Sequence, residues 1–196
     1  MRKVSFLAIM IALTVVSGCA NSSALIRASS TSTRSDVFKE ASKGESIPAG
    51  YADMTIYASL KTHKPGAFSA KDVHGTPEYR LLINIDGQST RLQGSLSEEN
   101  IDSRRLTEEA GDGIRYRFEK SFRLKAGSHR IVVASPHDGF AVDHQIVLPG
   151  GISTDLVLEP VYGKVPGKQR PGFYGVTSFR EGLEGFKVIL DGKPLQ

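Results

Sequence analysis

Short runs in which apolar and polar residues alternate dominate the chain from Tyr51 onward. A period of two places every second side chain on one face, as in a β-strand that is buried on one side. Gly, Pro and Asp-Gly pairs separate these runs at intervals of about ten residues, which is typical of antiparallel strands. We therefore predict an all-β fold, an antiparallel β-sandwich, over residues 51–196. The predicted strands are Met54–Leu60, Tyr79–Ile85, Ile114–Leu124, His129–Ala134, Ala141–Leu148, Thr154–Leu158 and Phe186–Leu190.

Glycine-containing turns separate the predicted strands. Asp86-Gly87 and Asp191-Gly192 each follow an apolar run, which is a strong signal for a two-residue hairpin turn. Pro149-Gly150-Gly151 predicts a turn that joins Ala141–Leu148 to Thr154–Leu158 as a pair.

Two features of the predicted sandwich leave alternatives open. The segment from Ser95 to Gly111 is acidic and polar, and it is either an exposed loop or a short helix between strands. Segments 83–88 and 188–193 resemble each other, either because they are a true repeat or because both are common hairpins.

The first eighteen residues have a different pattern, in which a short basic stretch precedes an apolar one. Val4 to Val16 is apolar except at Ser5 and Thr14. Its thirteen residues would form a helix of about 20 Å, which is too short for a bilayer core of about 30 Å. Residues 1–18 are therefore predicted to be a signal peptide and not a membrane-spanning helix.

The apolar stretch ends in Val16-Ser17-Gly18-Cys19, which resembles the lipobox of bacterial lipoproteins. The resemblance implies that the Cys19 thiol receives a diacylglycerol, that cleavage precedes Cys19, and that the new amine is acylated. Two or three acyl chains anchor a protein durably, whereas one chain binds marginally. Ala20 stands where inner-membrane retention uses Asp, which implies the outer membrane in an organism that has one. The alternative is an ordinary secretory signal followed by a chance cysteine.

Residues 19–50 are predicted to be a flexible tether that begins at the lipid-bearing cysteine. Ser, Thr, Ala and charged residues dominate this stretch, so few large apolar side chains are available to offset the entropy of ordering it. Such a spacer would lift the domain off the lipid surface. Within the tether, Ser35 to Lys43 has residues that suit a short helix.

Charge and cysteine content restrict the partners of the protein. The formal net charge is +4, of which Arg2 and Lys3 contribute two, and so small a surplus does not indicate nucleic-acid binding. Cys19 is the one cysteine of the chain, so no internal disulfide can form. The expected partners are the membrane, through the lipid at Cys19, and a protein or glycan of the cell envelope.

Two stretches in the middle of the chain, Phe122–Val133 and Val147–Leu158, contain an Ala-Gly-x-His hairpin and a glycine turn before a strand. Together with Leu82–Gly87 as an opening strand, they resemble a PEGA-type module. Such modules are small β-sandwiches of bacterial surface proteins, related to carboxypeptidase-regulatory and transthyretin-like domains. The resemblance implies an immunoglobulin- or transthyretin-like sandwich and no activity. The chain departs from the family because it lacks the PEGA tetrapeptide and has a long insertion from Gln88 to Gly113.

None of the five histidines has the spacing of a recognised metal or catalytic motif. His137 and His144, with Asp138 and Asp143 beside them, could converge across a hairpin as metal ligands. We favour surface histidines instead, because a tight turn over residues 136–139 points His137 to solvent. His129 begins a predicted strand, where we expect a packing or hydrogen-bonding role.

Paired carboxylates occur at Glu98-Glu99 and Glu108-Glu109, in the most polar segment. We expect them to be solvated with ordinary pKa values, because nothing in that segment would desolvate them. No nucleophile, phosphate-binding or dinucleotide-binding motif is present. The sequence therefore predicts no catalytic residue, no metal ligand and no cofactor site.

The segment from Tyr162 to Tyr174 is basic, rich in Pro and Gly, and aromatic at its end. It is either a long crossover between strands or a surface loop that contacts an anionic glycan, lipopolysaccharide or a partner protein. In the second interpretation the partner-binding side chains are Lys164, Lys168, Arg170, Phe173 and Tyr174.

These observations favour a non-enzymatic, lipid-anchored module of the bacterial cell envelope, at the outer membrane, with a structural or protein-interaction role. The alternative is a periplasmic or surface binding protein for a polysaccharide or a small ligand, which would use the 162–174 loop. A periplasmic enzyme ranks third, and it would require a deep pocket that holds two or more of the histidines or carboxylates.

Overall fold

A computed structural model describes residues 17–42, 44–66, 70–101, 109, 111–163 and 182–195. In these residues the secondary structure consists of one helix, α1 (Ser17–Ser29), and eleven strands. The strands are β1 (Phe38–Glu40), β2 (Tyr51–Thr62), β3 (Arg80–Ile85), β4 (Gln88–Gln93), β5 (Ser95–Ile101), β6 (Gly111–Lys125), β7 (Gly127–Ser135), β8 (Phe140–Leu148), β9 (Ser153–Gly163), β10 (Gly182–Leu190) and β11 (Lys193–Pro194).

The strands form two sheets that pack face to face. The larger sheet has seven strands in the order β1-β6-β2-β9-β10-β11, and β5 also pairs with β6. Strands β5 and β1 pair with the same edge of β6. Strand β5 pairs with the first residues of β6, and β1 pairs with its last residues. The smaller sheet has four strands in the order β4-β3-β7-β8. Between described strands the pairings are antiparallel, except that β2 and β9 run parallel.

The core lies between the sheets and consists of alternate residues of their strands. Met54, Ile56 and Leu60 of β2 are fully buried, and so are Ile83 and Ile85 of β3. Each such side chain contributes about 1.5–3 kcal/mol through removal from water. The intervening residues of β2 pair with polar partners of β6 on the outer face of the larger sheet.

The predicted all-β sandwich is confirmed, and each of the seven predicted strands corresponds to an observed one. Both predicted Asp-Gly turns are present. The φ angles are 46° and 92° at Asp86 and Gly87, and 45° and 77° at Asp191 and Gly192. Two consecutive positive φ angles are what a type I′ hairpin turn requires.

The prediction of a loop or helix from Ser95 to Gly111 is wrong for its first part, which is strand β5. One acidic residue of β5, Glu99, has a cationic partner on the neighbouring strand β6, where the Arg115 guanidinium donates to its carboxylate at 2.6 Å. The position of Glu99 in β5 therefore reflects pairing with a basic residue of β6, and not exposure in a solvated loop.

The predicted pairing of Ala141–Leu148 with Thr154–Leu158 is also wrong. Strand β8 belongs to the smaller sheet, whereas β9 crosses to the larger sheet and pairs with β2. The glycine turn between them is bound to the start of β2, because Gly151 N–H donates to the Tyr51 carbonyl at 2.8 Å.

The tether predicted over residues 19–50 is in fact attached to the sandwich between Ser29 and Glu40. The Ser29 carbonyl accepts hydrogen bonds from Asn84 Nδ2 at 3.2 Å and from the Ser89 hydroxyl. Val37 and Phe38 are buried in the core, and Phe38 begins strand β1. The predicted helix from Ser35 to Lys43 is therefore wrong, because burial of this apolar pair favours strand pairing with β6.

Helix α1 lies against β8, β3 and β7 of the smaller sheet. Leu25 and Ile26 of the helix are half-buried. This position explains why Leu82 and Val132, which face away from the core, are only 2 % and 3 % exposed. In the described part of the chain, no helix combines the length and the apolarity that crossing a bilayer requires. Of the predicted signal peptide, residues 1–16 lie outside the described residues.

Candidate functional site

A group of polar side chains lies at the end of the sandwich where β2 ends. His63 directly follows β2, Asp72 and His74 belong to the loop between β2 and β3, and Asp138 belongs to the turn between β7 and β8. Because β3 and β7 pair antiparallel, the start of β3 lies beside the end of β7, so that the loop meets the turn. We call His63, Asp72, His74 and Asp138 the histidine cluster.

Asp72 joins the two imidazole rings of the histidine cluster. Its Oδ2 accepts a hydrogen bond from His63 Nε2 at 2.8 Å, and its Oδ1 accepts one from His74 Nδ1 at 2.5 Å. On the opposite side of the His74 ring, Nε2 donates to Asp138 Oδ1 at 3.1 Å. The His63 and His74 ring centroids are 4.9 Å apart. Four side chains from three segments therefore form one continuous hydrogen-bonded chain.

Gly75 allows the loop to bring the two histidines together. Its φ is +76°, and a Cβ at this position would lie 2.6 Å from Pro65 Cδ and 2.8 Å from the His63 carbonyl oxygen. Glycine accommodates both the positive φ and this close approach of two backbone segments. The Tyr116 hydroxyl also donates to the Thr76 carbonyl at 2.7 Å, which fixes the loop to strand β6.

Two hydroxyl groups hold Asp138 from the core side. Tyr79 Oη donates to Asp138 Oδ2 at 2.8 Å, and the Ser135 hydroxyl donates to the same oxygen. Burial and the adjacent Asp138 carboxylate raise the pKa of Tyr79 well above its usual value, so the phenol stays protonated and remains a donor. Asp138 is therefore fixed as an acceptor for His74.

The hydrogen bonds define the charge state of the histidine cluster. Both ring nitrogens of His74 face carboxylate oxygens, and only a protonated imidazolium donates from both. Burial opposes that charge, but the hydrogen bonds and charges of Asp138 and Asp72 raise the pKa of His74. Burial also opposes ionisation of Asp72, yet hydrogen bonds from His74 and His63 lower its pKa to about 2. Two carboxylates thus share the imidazolium of His74.

A second polar network lies on the outer face of the larger sheet, and we call Lys61, Glu99, Glu109, Arg115 and Tyr162 the lysine network. The Lys61 ammonium is fully buried and donates to the Glu109 and Gly111 carbonyls at 3.0 and 2.6 Å. The Arg115 guanidinium donates to Glu99 at 2.6 Å and to Glu109 at 2.5 Å. Tyr162 Oη donates to Glu109 Oε1 at 2.7 Å.

The lysine network has two cations and two carboxylates. Burial opposes ionisation of Glu109, but hydrogen bonds from Arg115 and Tyr162 and the charge of Arg115 hold its pKa below the usual value. Burial lowers the pKa of Lys61, against the opposing effect of Glu99. Burial and the hydrogen bond to Glu109 raise the pKa of Tyr162, so its hydroxyl remains a donor. Because its charges balance, we assign this network a structural role.

A pocket of about 180 Å³ opens on the outer face of the smaller sheet, beside the histidine cluster. We call it the arginine pocket, and it is lined by Glu78, Arg80, Leu82, Arg91, Pro136 and His137. The guanidinium groups of Arg80 and Arg91 form no hydrogen bond or ion pair with another described residue, and Glu78 lies within range of the Arg80 charge. The His137 ring lies beside that of Tyr79, with centroids 5.9 Å apart. Two available guanidinium groups suit a carboxylate or a phosphate.

The predicted alternative of a metal site at His137 and His144 is not observed. Asp138 is directed at His74, whereas Asp143 forms an ion pair with Arg130 at 2.6 Å. His137 is exposed, as expected for the turn, and His144 is half-buried. The two histidines are therefore not joined by the aspartates beside them.

The predicted hydrogen-bonding role of His129 is confirmed. Its Nδ1 lies 2.6 Å from Asp86 Oδ2, and its Nε2 lies 2.7 Å from the Lys125 carbonyl. Asp86 Oδ1 also accepts the Arg130 N–H at 2.8 Å. His129 thereby connects strand β7 to the Asp86-Gly87 turn.

The expectation of solvated carboxylates holds for Glu98, which is 78 % exposed at its side chain and contacts Lys64 at 3.2 Å. It is wrong for Glu99 and Glu109, since both belong to the lysine network. Glu108 lies outside the described residues, as do the predicted partner-binding residues Lys164, Lys168, Arg170, Phe173 and Tyr174. Cys19 lies within α1, and its lipidation stays a prediction.

Sequence reasoning missed the histidine cluster. Among the residues that the structure describes, His63, Asp72 and His74 are the one group of at least three His, Cys, Asp or Glu residues whose ligand atoms lie within 4.8 Å of one another. Their spacing matches no recognised motif, and the available signal is a long loop between two strands that contains two histidines, an aspartate and two glycines. Comparison with family models, with curated proteins and with solved structures gives no match to this chain.

Proposed function

We propose that the protein is a membrane-anchored lipoprotein of the bacterial cell envelope whose sandwich has a non-enzymatic structural or protein-interaction role. The observation that carries this proposal is the sequence Val16-Ser17-Gly18-Cys19 after an apolar N-terminal segment. The thiol and the new amine at Cys19 would carry two or three acyl chains, and each buried CH₂ contributes about 0.8 kcal/mol to membrane binding. Ala20 favours the outer membrane, and the two-sheet sandwich is compatible with a PEGA-like module.

The contacts of Ser29 support a position of the sandwich close to the lipid surface. Its carbonyl is bound by Asn84 and Ser89 of the smaller sheet, and Cys19 precedes it by ten residues. Ten residues span about 15 Å as a helix and at most about 36 Å when extended. The proposal therefore holds the sandwich within that distance of the membrane, and not at the end of a tether that continues to Gly50.

Intact mass and membrane fractionation of the protein expressed in a bacterium test this proposal. We expect the wild-type protein to begin at Cys19, to carry the mass of the acyl chains and to sediment with membranes. Cys19→Ala should lose both the lipid mass and the membrane association, whereas Ser23→Ala, an exposed substitution in the same helix, should retain them. An unmodified, soluble wild-type protein would contradict the proposal.

The arginine pocket favours a second candidate function, which is binding of an anionic envelope glycan. Arg80 and Arg91 are exposed on one face of the β3–β4 hairpin, and Leu82 and Arg91 are directly paired across it. A guanidinium group that forms no hydrogen bond or ion pair within the described residues is available for a carboxylate or sulfate of a sugar chain. This candidate needs no contribution from the segment 164–174.

Binding of fluorescent polygalacturonate, measured by polarisation in low salt, tests the second candidate. The double variant Arg80→Ala/Arg91→Ala should lose about tenfold or more in affinity, because each charge-assisted hydrogen bond contributes about 1.5–3 kcal/mol. Arg117→Ala, which removes an exposed arginine from the opposite sheet, is the matched control and should bind as the wild type does. Equal losses in both variants would indicate general attraction to charge and would exclude a specific pocket.

A further inference from the structure

The donor atoms of the histidine cluster match those that transition metals prefer. We propose that His63, Asp72 and His74 bind a divalent transition-metal cation of the Zn²⁺ class. Each offers one ligand atom, a ring nitrogen or a carboxylate oxygen, and the three lie within 4.8 Å of one another. Two imidazoles and one carboxylate suit Zn²⁺ and its first-row neighbours, whereas Mg²⁺ and Ca²⁺ prefer oxygen ligands.

The ion fits between these donors after a small movement of the side chains. Bonds of about 2.0–2.2 Å place the ligand atoms of tetrahedral zinc about 3.4 Å apart. The Asp72 oxygens lie 2.8 and 2.5 Å from the nitrogens of His63 and His74, so each contact has to widen by less than about 1 Å. The side chains are 8 % exposed at His63, 15 % at Asp72 and 18 % at His74, which shields the site yet leaves it reachable.

Asp138 supplies the outer-shell contact that metal-binding histidines need. In metal sites a ligating histidine almost always donates its second ring N–H to a carboxylate, which fixes the ring and makes the other nitrogen a better ligand. His74 has this arrangement, with Nδ1 toward Asp72 and Nε2 bound to Asp138 at 3.1 Å. Asp138 is in turn fixed by Tyr79 and Ser135.

Charge balance also favours a dication. Asp72 and Asp138 bring two negative charges into a half-buried site, and without a metal the single charge of the His74 imidazolium balances only one of them, while Lys61 and Arg115 have their own carboxylates. A divalent cation bound to two neutral imidazoles would neutralise both carboxylates, which lowers the cost of burying them. Three protein ligands leave one position for water, as in open zinc sites.

Metal titration of the full-length protein, solubilised in detergent and stripped with a chelator, tests the proposal. Zn²⁺ is added in competition with a chromophoric chelator, and Co²⁺ is used to record the visible spectrum of the coordinated ion. We expect one equivalent of Zn²⁺ in the wild type. His74→Gln and Asp72→Asn should bind more than about 100-fold more weakly, and Asp138→Asn about 10- to 100-fold more weakly, because it retains all three ligands.

Two controls separate the site from other ligands. His144→Gln removes a half-buried histidine on the edge strand β8 and should bind Zn²⁺ as the wild type does, and so should Cys19→Ser, which removes the thiol. Circular dichroism of the metal-free proteins reports whether each variant folds. Should His74→Gln fail to fold, the zinc affinity of Asp138→Asn tests the proposal in its place. Binding below one equivalent in the wild type, or equal affinity in His74→Gln and His144→Gln, overturns the proposal. Membrane fractionation of the same variants tests the anchor independently.

Discussion

The histidine cluster and the lysine network begin two residues apart, at His63 and Lys61, but they neutralise their charges in different ways. In the lysine network, Lys61 and Arg115 face Glu99 and Glu109, and backbone carbonyls bind the remaining protons of the ammonium group. Each cation of the network thus faces a carboxylate and each carboxylate faces a cation, so the network is complete without any ligand.

In the histidine cluster the carboxylates face imidazoles, whose charge depends on a bound proton. The same ring nitrogens that bind a proton also bind a metal ion. The lysine network therefore holds the sheet together, whereas the histidine cluster is suited to a ligand, although both lie at one end of β2.

The largest effect is expected at the centre of the lysine network. Lys61→Ala leaves the carboxylates around a buried vacancy and should lower the free energy of unfolding by about 3–5 kcal/mol, the cost of breaking a buried ion pair. Urea unfolding measures this change. Lys187→Ala is the control, because the Lys187 side chain is 52 % exposed beside Glu159, and this substitution should lower the free energy of unfolding by at most about 1 kcal/mol. Similar costs in the two variants would contradict a structural role for Lys61.

The loop of the histidine cluster should be the next most sensitive position. Gly75→Ala adds a Cβ against Pro65 and His63 at a positive φ, so we expect a loss of about 3 kcal/mol. Gly66→Ala is a matched control in the same loop, because its φ is +73° but its Cβ would meet nothing within 4 Å. It should cost about 1–2 kcal/mol. Zinc affinity, measured in parallel, should fall in Gly75→Ala and not in Gly66→Ala.

The lysine network should also give the protein an acid-sensitive component of stability. The pKa of Glu109 is lowered from its ordinary value of 4.5, so its contribution is present above that pH and is lost as the pH falls through the lower folded-state value. Glu109→Gln should therefore be less stable than the wild type by about 1.5 kcal/mol near pH 6. Urea unfolding as a function of pH should show this gap closing below pH 4.5. A gap that stays constant would assign the loss to packing.

The strands of the sandwich could be predicted because the information lies within each strand. Alternation in β2 and the apolar run of β3 define their buried faces without reference to a partner. The pairing of β5 and of β9 could not be predicted, because each is decided by a strand distant in the sequence. Val37 and Phe38 gave too short a signal to distinguish a core strand from a tether.

The histidine cluster could not be predicted from any local sequence pattern, for a related reason. His63, Asp72 and His74 lie in a loop without regular structure, and Asp138 reaches them through the antiparallel pairing of β3 with β7. Gly75 looks like any turn glycine until the approach of Pro65 is known. Sites assembled from loops depend on the whole fold, and no single-segment pattern contains them.

The smallest effect is expected at the ion pair that connects the two regions. Lys64 follows His63, Glu98 precedes Glu99, and the two side chains meet at 3.2 Å with 45 % and 78 % of their surfaces exposed. Solvent screens such a pair, so Glu98→Gln should change the free energy of unfolding by less than about 0.5 kcal/mol and leave zinc affinity unchanged. Glu99→Gln, one residue away but bound to Arg115, should destabilise the protein measurably and also leave zinc affinity unchanged. An effect of either substitution on zinc binding would mean that the lysine network and the histidine cluster are coupled. Their independence would show that one end of β2 supports a structural network and a ligand site without either constraining the other.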